Sequence, residues 1–273
     1  MTKIFGVLGD PVSHSLSPFI HNYWIESAGI DADYKAIRVL RDDFRKTLDE
    51  LSNRSGVGFN VTLPHKVAAF NASHHLTKSA KAIGAVNTLT LRPNTQWEGH
   101  NTDAEGFMDA LQRHDIAVTA DTKITIIGAG GAARAIVYAL ALVGVSPTIL
   151  NRTPENAKQL SLDLTQGKSA YGSIDQVPIF AEGSDIVVNT VSSGHFNQVI
   201  DLPPGSGKTF VDISYGGAAS NQIDLAKGNG WSAVDGLSML VAQAARSFCH
   251  WTEITPPTDE IEKLCREKLR MSQ

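Results

Sequence analysis

The chain has 273 residues, 42% hydrophobic and 19% charged, which suits one large or two modest folded domains. A formal charge of -4 gives no electrostatic reason to expect nucleic acid or an anionic membrane as a partner. The longest apolar run, Ala135–Val145, is far shorter than the roughly 20 residues of a membrane span. The opening MTKIFGVLGD does not read as a signal peptide, and two cysteines, Cys249 and Cys265, make no disulfide scaffold, so a reducing cytoplasm is expected. No His/Cys cluster has metal-ligand spacing, and no metal is expected.

In chain order, Lys3–Leu8 reads as a short buried strand. Ser17 and Pro18 read as the N-cap and first residue of a helix that stops at Gly29. Further elements are a helix from Asp42 to Leu51, a strand Gly58–Leu63, a short helix Pro64–Asn71 and a helix Thr77–Ile83 ended by Gly84. A strand Ala85–Leu91 and a helix from Thr102 to His114 follow. The middle third begins with the β-branched run Lys123–Ile127, a glycine cluster and an apolar helix to Val143. Strands Pro147–Asn151, Asp185–Thr190 and Thr209–Ile213, with a helix Glu155–Leu164, then suggest a parallel, doubly wound α/β sheet. Two last helices, Ser238–Trp251 and Thr258–Met271, need a partner for their apolar faces. Packing on the first domain would make that domain discontinuous. The expected layout is one discontinuous domain of 1–103 and 238–273 around a second domain of 104–237.

The string KITIIGAGGAARAIVYAL is strand, glycine turn, helix, and fits G-x-G-x-x-G/A with Gly128, Gly130 and Ala133. The first glycine makes the tight turn. The second lets backbone approach a pyrophosphate, and the small third residue lets helix and strand pack closely. Free N–H groups and the positive end of the helix dipole then hold phosphate. An NAD-preferring site places Asp or Glu about 20 residues beyond the first glycine. Here Asn151-Arg152-Thr153 stands instead, with no carboxylate to repel a 2′-phosphate and a guanidinium able to bind one, so NADP (NADPH) is favoured.

Polar residues gather where structural need is small. Ser15 and Ser17 lie in SHSLSP; capping accounts for Ser17 but not Ser15. Asn60, Thr62 and Lys66 lie in NVTLPHK, where the spacing predicts Asn60 and Thr62 on one face of a strand. Lys66 opens a helix, an unfavourable place for a cation, and wants a nearby carboxylate or a function. Asn87 and Thr88 fall inside a predicted strand, and Asn101, Thr102 and Asp103 at a helix start.

Taken together, SHSLSP, NVTLPHK, GAVNTL, NTD, GAGGAAR, NRT, DISY and DGLSMLVAQAA resemble, nearly end to end and in order, the shikimate dehydrogenase family. The resemblance implies an N-terminal α/β substrate domain, a Rossmann-type NADP domain, and C-terminal helices that return to the first domain. It implies NADPH-dependent, reversible reduction of 3-dehydroshikimate to shikimate, in aromatic amino-acid biosynthesis. Lys66 and Asp103 match the family's catalytic pair. Ser15, Ser17, Thr62, Asn87, Tyr215 and Gln243 match substrate-binding positions, with Asn60 in support. Gly128, Ala129, Gly130, Gly131 and Ala132 match the first cofactor segment. Asn151, Arg152, Thr153 and Asn156 match the second, and Ile213, Gly236 and Met239 match positions near the nicotinamide.

Four departures surround the cofactor. Asn156 stands where a second basic residue is common, with Lys158 two residues later. The segment usually written NATS reads Asn189-Thr190-Val191-Ser192, the stretch after Tyr215 is glycine-rich, and Ser238 replaces a common glycine. A quinate/shikimate paralogue, NAD-linked or relaxed in cofactor, is the alternative enzyme reading. A nucleotide sensor without catalysis is the alternative of another class; the presence of both Lys66 and Asp103 speaks against it. The small-molecule substrate is the expected partner, for a monomer or homodimer.

Overall fold

The computed structural model describes residues 2–53, 56–191 and 199–271. Its first elements are β1 (Lys3–Gly9), α1 (Ser17–Ser27), β2 (Ala32–Arg38), α2 (Phe44–Ser52), β3 (Gly56–Val61) and α3 (Lys66–Ala72). Then come β4 (His75–Leu76), α4 (Lys78–Ile83), β5 (Thr88–Leu91), β6 (Trp97–His100), α5 (Asp103–Arg113), β7 (Ile124–Ile127), α6 (Gly131–Leu142), β8 (Thr148–Asn151) and α7 (Pro154–Thr165). The rest are β9 (Tyr171–Ser173), α8 (Val177–Glu182), β10 (Ile186–Asn189), β11 (Thr209–Asp212), α9 (Gly217–Gly228), β12 (Ser232–Val234), α10 (Leu237–Thr252) and α11 (Asp259–Met271). Two compact units result: Met1–Gly106 with Leu240–Ser272, and Phe107–Met239.

Unit one carries a six-stranded sheet in the order β2-β1-β3-β5-β6-β4. β1 runs parallel to β2 and β3, whereas β3 with β5 and β5 with β6 are antiparallel. One side of the core gathers Phe44, Leu48, Phe59, Val86, Leu89 and Trp97. An aromatic nest of Trp24, Tyr34, His21, Phe248 and Trp251 joins α1, β2 and α10. Trp24 Nε1 donates to Pro257 O at 2.9 Å and Trp251 Nε1 to Leu89 O at 3.2 Å, so the C-terminal helices complete this unit, as expected.

Three local expectations are corrected here. β2 is absent from the sequence reading because Tyr34 is its one buried residue, and an edge strand with so little apolar surface leaves no periodic signal. The strand predicted from Ala85 begins at Thr88. The missing residues bond elsewhere: Val86 N–H donates to Lys66 O and Ala85 O accepts from Asn101 Nδ2, both at 2.9 Å. Ser17 is not the N-cap; Leu16 holds that position without a side-chain bond, and Ser15 Oγ accepts the Ser17 N–H at 3.2 Å.

Unit two has the parallel sheet order β12-β11-β10-β7-β8-β9. α6 lies on it through Ala133, Ile136, Val137 and Leu140, all fully buried, so the apolar run is a core helix. No helix among the described residues is long and apolar enough to cross a membrane.

Candidate active site

Lys66 is the first residue of α3, whose first turn holds no acid. Its missing carboxylate comes from elsewhere in unit one. Lys66 Nζ donates to Asp103 Oδ2 at 2.6 Å, with side-chain exposures of 15% and 6%. An ion pair so far withdrawn from water is held by attraction that solvent screens little. Asp103 opens α5, where the helix dipole favours an anion. Its N–H donates to Asn101 Oδ1 at 3.0 Å, and its Oδ1 accepts from Asn87 Nδ2 at 2.9 Å. The carboxylate is therefore fixed on both oxygens and through its own backbone.

Asn87 is the hub of this corner. Its Oδ1 accepts from Thr102 N at 2.8 Å and Thr88 Oγ1 at 2.9 Å. Its Nδ2 faces three acceptors: Thr102 Oγ1 at 2.9 Å, Asp103 Oδ1 at 2.9 Å and Gln243 Oε1 at 3.3 Å. Two amide hydrogens cannot serve three acceptors fully, so Gln243, the most distant, keeps capacity for another donor. Gln243 comes this close because residue 106 is glycine: a Cβ there would lie 2.8 Å from the Gln243 backbone nitrogen.

Asn60 is buried in the adjoining network, with Nδ2 donating to Ser247 Oγ at 2.9 Å. Thr62 lies one residue past the end of β3, so it does not share a strand face with Asn60 as predicted. It packs instead against Gly9, where a Cβ would sit 2.4 Å from Thr62 Cγ2. Unit one thus links Lys66, Asp103, Asn87 and Gln243 by hydrogen bonds, with Asn60 joined through Asn87 O at 3.3 Å and through Ser247. Sequence reasoning missed Ser247 and Tyr34. Ser247 was findable, one helical turn beyond Gln243 on α10.

In unit two, Gly128 has φ +113°, and its N–H donates to Leu150 O at 2.7 Å. A Cβ there would lie 2.2 Å from Thr190 Oγ1, which is itself held by Ile127 O at 2.7 Å. Gly128→Ala is expected to lower stability by about 2–4 kcal/mol through backbone strain and this clash; urea unfolding measures it. At Gly130, the N-cap of α6, a Cβ would meet nothing within 4 Å. Open space over a helix N-terminus is what a dinucleotide phosphate needs, so Gly128 through Ala132 fit the group.

Asn151, half-buried at the end of β8, donates through Nδ2 to Thr153 O at 2.9 Å, and Thr153 caps α7. Arg152 and Asn156 are exposed beside them. Arg134 of α6 pairs with Asp163 of α7 at 2.9 Å, so that carboxylate is already engaged. Gly236 is required by close approach, because a Cβ would sit 2.0 Å from Ile213 O. Ile213, Gly236 and Met239 line one small apolar cavity with His114. Ser238 occupies a buried position beside them, its Oγ 2.9 Å from His114 Nε2, which accounts for a hydroxyl at that position. Tyr215 lies three residues past the end of β11, in this unit. Ser192 falls outside the described residues. Among the described residues, no three His, Cys, Asp or Glu side chains could hold a metal ion.

Known proteins match this chain along nearly its whole length. Residues 7–89 match the shikimate dehydrogenase substrate binding domain, 110–237 the shikimate / quinate 5-dehydrogenase model, and 236–266 the shikimate 5'-dehydrogenase C-terminal domain. A shikimate dehydrogenase (NADP(+)) of Hyphomonas neptunium is 44% identical, over 98% of each chain. The shikimate dehydrogenase structure from Aquifex aeolicus gives a TM-score of 0.87 at 32% identity, covering 97% of this chain and 98% of that one. The Thermus thermophilus enzyme, solved in complex with NADP(H) and shikimate, gives 0.84 at 30% identity, covering 97% and 99%. A pair of polar and glycine-built sites with these relatives leaves one assignment: the chain belongs to the shikimate dehydrogenase family.

Proposed function

We propose that the chain catalyses the reversible, NADPH-dependent reduction of 3-dehydroshikimate to shikimate, with Lys66 and Asp103 as its catalytic pair. The observation that carries this reading is the Lys66–Asp103 contact at 2.6 Å, fixed by Asn87. Bound NADPH supplies the hydride. Lys66 stabilises the negative charge that grows on the substrate oxygen and delivers a proton from Nζ. Asp103 takes one of the three Nζ donors, which orients the ammonium and leaves two for a ligand. Its second task is to accept from a substrate hydroxyl, as Gln243 Oε1 can. Ser15, Ser17, Thr62 and Tyr215 supply hydroxyls for the remaining polar groups of the substrate, its carboxylate among them.

Gly128, Ala129, Gly130, Gly131 and Ala132 would hold the pyrophosphate. Asn151, Arg152, Thr153 and Asn156 would hold the adenosine end, and Ile213, Gly236 and Met239 the nicotinamide. With no carboxylate among residues 151–153, Arg152 is the source of preference for the 2′-phosphate. Arg152→Ala is expected to raise KM for NADP+ about tenfold, the ~1.4 kcal/mol of one charge-assisted contact, and to leave KM for NAD+ unchanged. Equal effects on both cofactors would remove that role.

The deciding assay follows reduced-nicotinamide absorbance with shikimate or quinate, each paired with NADP+ or NAD+. The expected result is highest kcat/KM for shikimate with NADP+. No turnover with any pair would overturn the reading. A cytoplasmic enzyme, monomeric or homodimeric and without nucleic-acid or membrane partners, is the setting this function implies; sedimentation of the purified chain tests the assembly.

A further inference from the structure

Behind the candidate substrate residues, unit one holds a continuous line of buried hydroxyl and amide groups. Tyr34 OH donates to Asn60 Oδ1 at 2.7 Å. Asn60 Nδ2 passes the line to Ser247 Oγ at 2.9 Å. Ser247 Oγ lies 2.8 Å from Thr88 Oγ1, and Thr88 donates to Asn87 Oδ1 at 2.9 Å. Ser247 Oγ also lies 3.0 Å from Gln243 O, and its one hydrogen goes to Thr88 Oγ1 when Thr88 donates to Asn87. The line starts on β2, crosses β3, α10 and β5, and ends at the amide that holds Asp103.

We propose that Tyr34 and Ser247 are positioning residues, which set the direction of the Asn60 and Asn87 amides toward the substrate. The proposal rests on the reading of this corner as a shikimate site. A buried hydroxyl has one hydrogen, and each donation fixes which way its neighbours point. Asn60 and Asn87 both lie buried, so water cannot substitute when a partner is lost. The Tyr34 ring is fixed independently, stacked on His21 with centroids 4.2 Å apart and planes within 1°. Removing the phenol oxygen alone therefore leaves the ring in place and frees Asn60 to turn.

The test uses Tyr34→Phe and Ser247→Ala in the full chain, with Ser247→Thr as the conservative variant. Both disruptive variants are expected to raise KM for shikimate about tenfold, to change kcat less than threefold, and to leave KM for NADP+ unchanged. Ser247→Thr is expected to restore KM to within threefold of wild type. A merely structural role predicts a lower melting temperature with unchanged KM values, and that result overturns the proposal. So does an equal loss in both KM values. If Tyr34→Phe fails to fold, Ser247→Ala alone decides by the same split. An inactive wild type that also fails to bind shikimate in calorimetry marks failure of the site reading itself. An active wild type with indifferent variants marks failure of the positioning proposal alone.

Discussion

Lys66→Ala is expected to lower kcat by about 10²–10⁴-fold, the range that one positioned acid–base group contributes. The size follows from where the ammonium acts. Its charge is largely withdrawn from water, so the field it presents to a developing oxyanion is little screened. Alanine removes both that field and the proton at Nζ. Substrate affinity is expected to stay within about tenfold, or ~1.4 kcal/mol, because the hydroxyl and amide groups of the corner remain. The variant also leaves Asp103 without its cation, while Asn87 Nδ2 and the Asn101-bonded backbone still hold the carboxylate in place. Steady-state absorbance kinetics gives kcat, and calorimetry gives shikimate affinity. Near-normal turnover would remove Lys66 from the chemistry. A loss confined to affinity would make it a binding group only.

Much of this site was legible in the sequence, and for a physical reason. Lys66 at a helix start and Asp103 at another are placements that local electrostatics either penalises or rewards, so each stood out before any fold was known. The glycine turn was equally legible, since Gly128 at φ +113° is a backbone state other residues resist. What stayed hidden depends on contacts between elements far apart in the chain. Tyr34 bonds Asn60, 26 residues away, and Ser247 bonds Asn60 from 187 residues away. Tyr34 leaves no local pattern, and Ser247 leaves only its one-turn spacing from Gln243 on α10. Thr62 was assigned a shared face by period two, yet the strand ended one residue too early for the rule to apply.

Acidification is expected to unfold unit one preferentially. Burial among aromatic rings lowers the His21 pKa from 6.5 to about 3, with partial relief from Asn60. The unfolded chain takes up a proton at this residue as pH falls through ~6.5, and the folded chain does not until pH nears 3. Stability is therefore intact above pH ~6.5 and is lost progressively below it, by roughly 4–5 kcal/mol at the acid end for this one residue. Burial first, then mutual repulsion with His250, also lowers His100, and burial lowers His250, so all three act in the same sense. In unit two the sign is opposite. Burial raises the Asp212 carboxyl, so the folded form binds its proton first and gains stability as pH falls toward the carboxylate range. Trp24, Trp97 and Trp251 belong to unit one and only Trp231 to unit two, so tryptophan fluorescence mainly reports unit one. The urea midpoint read this way should fall steadily from pH 7 to pH 4.5. His21→Phe keeps an aromatic ring against Tyr34 without a proton to gain, and should flatten much of that slope. An unchanged slope in the variant would show that His21 does not set the acid limit.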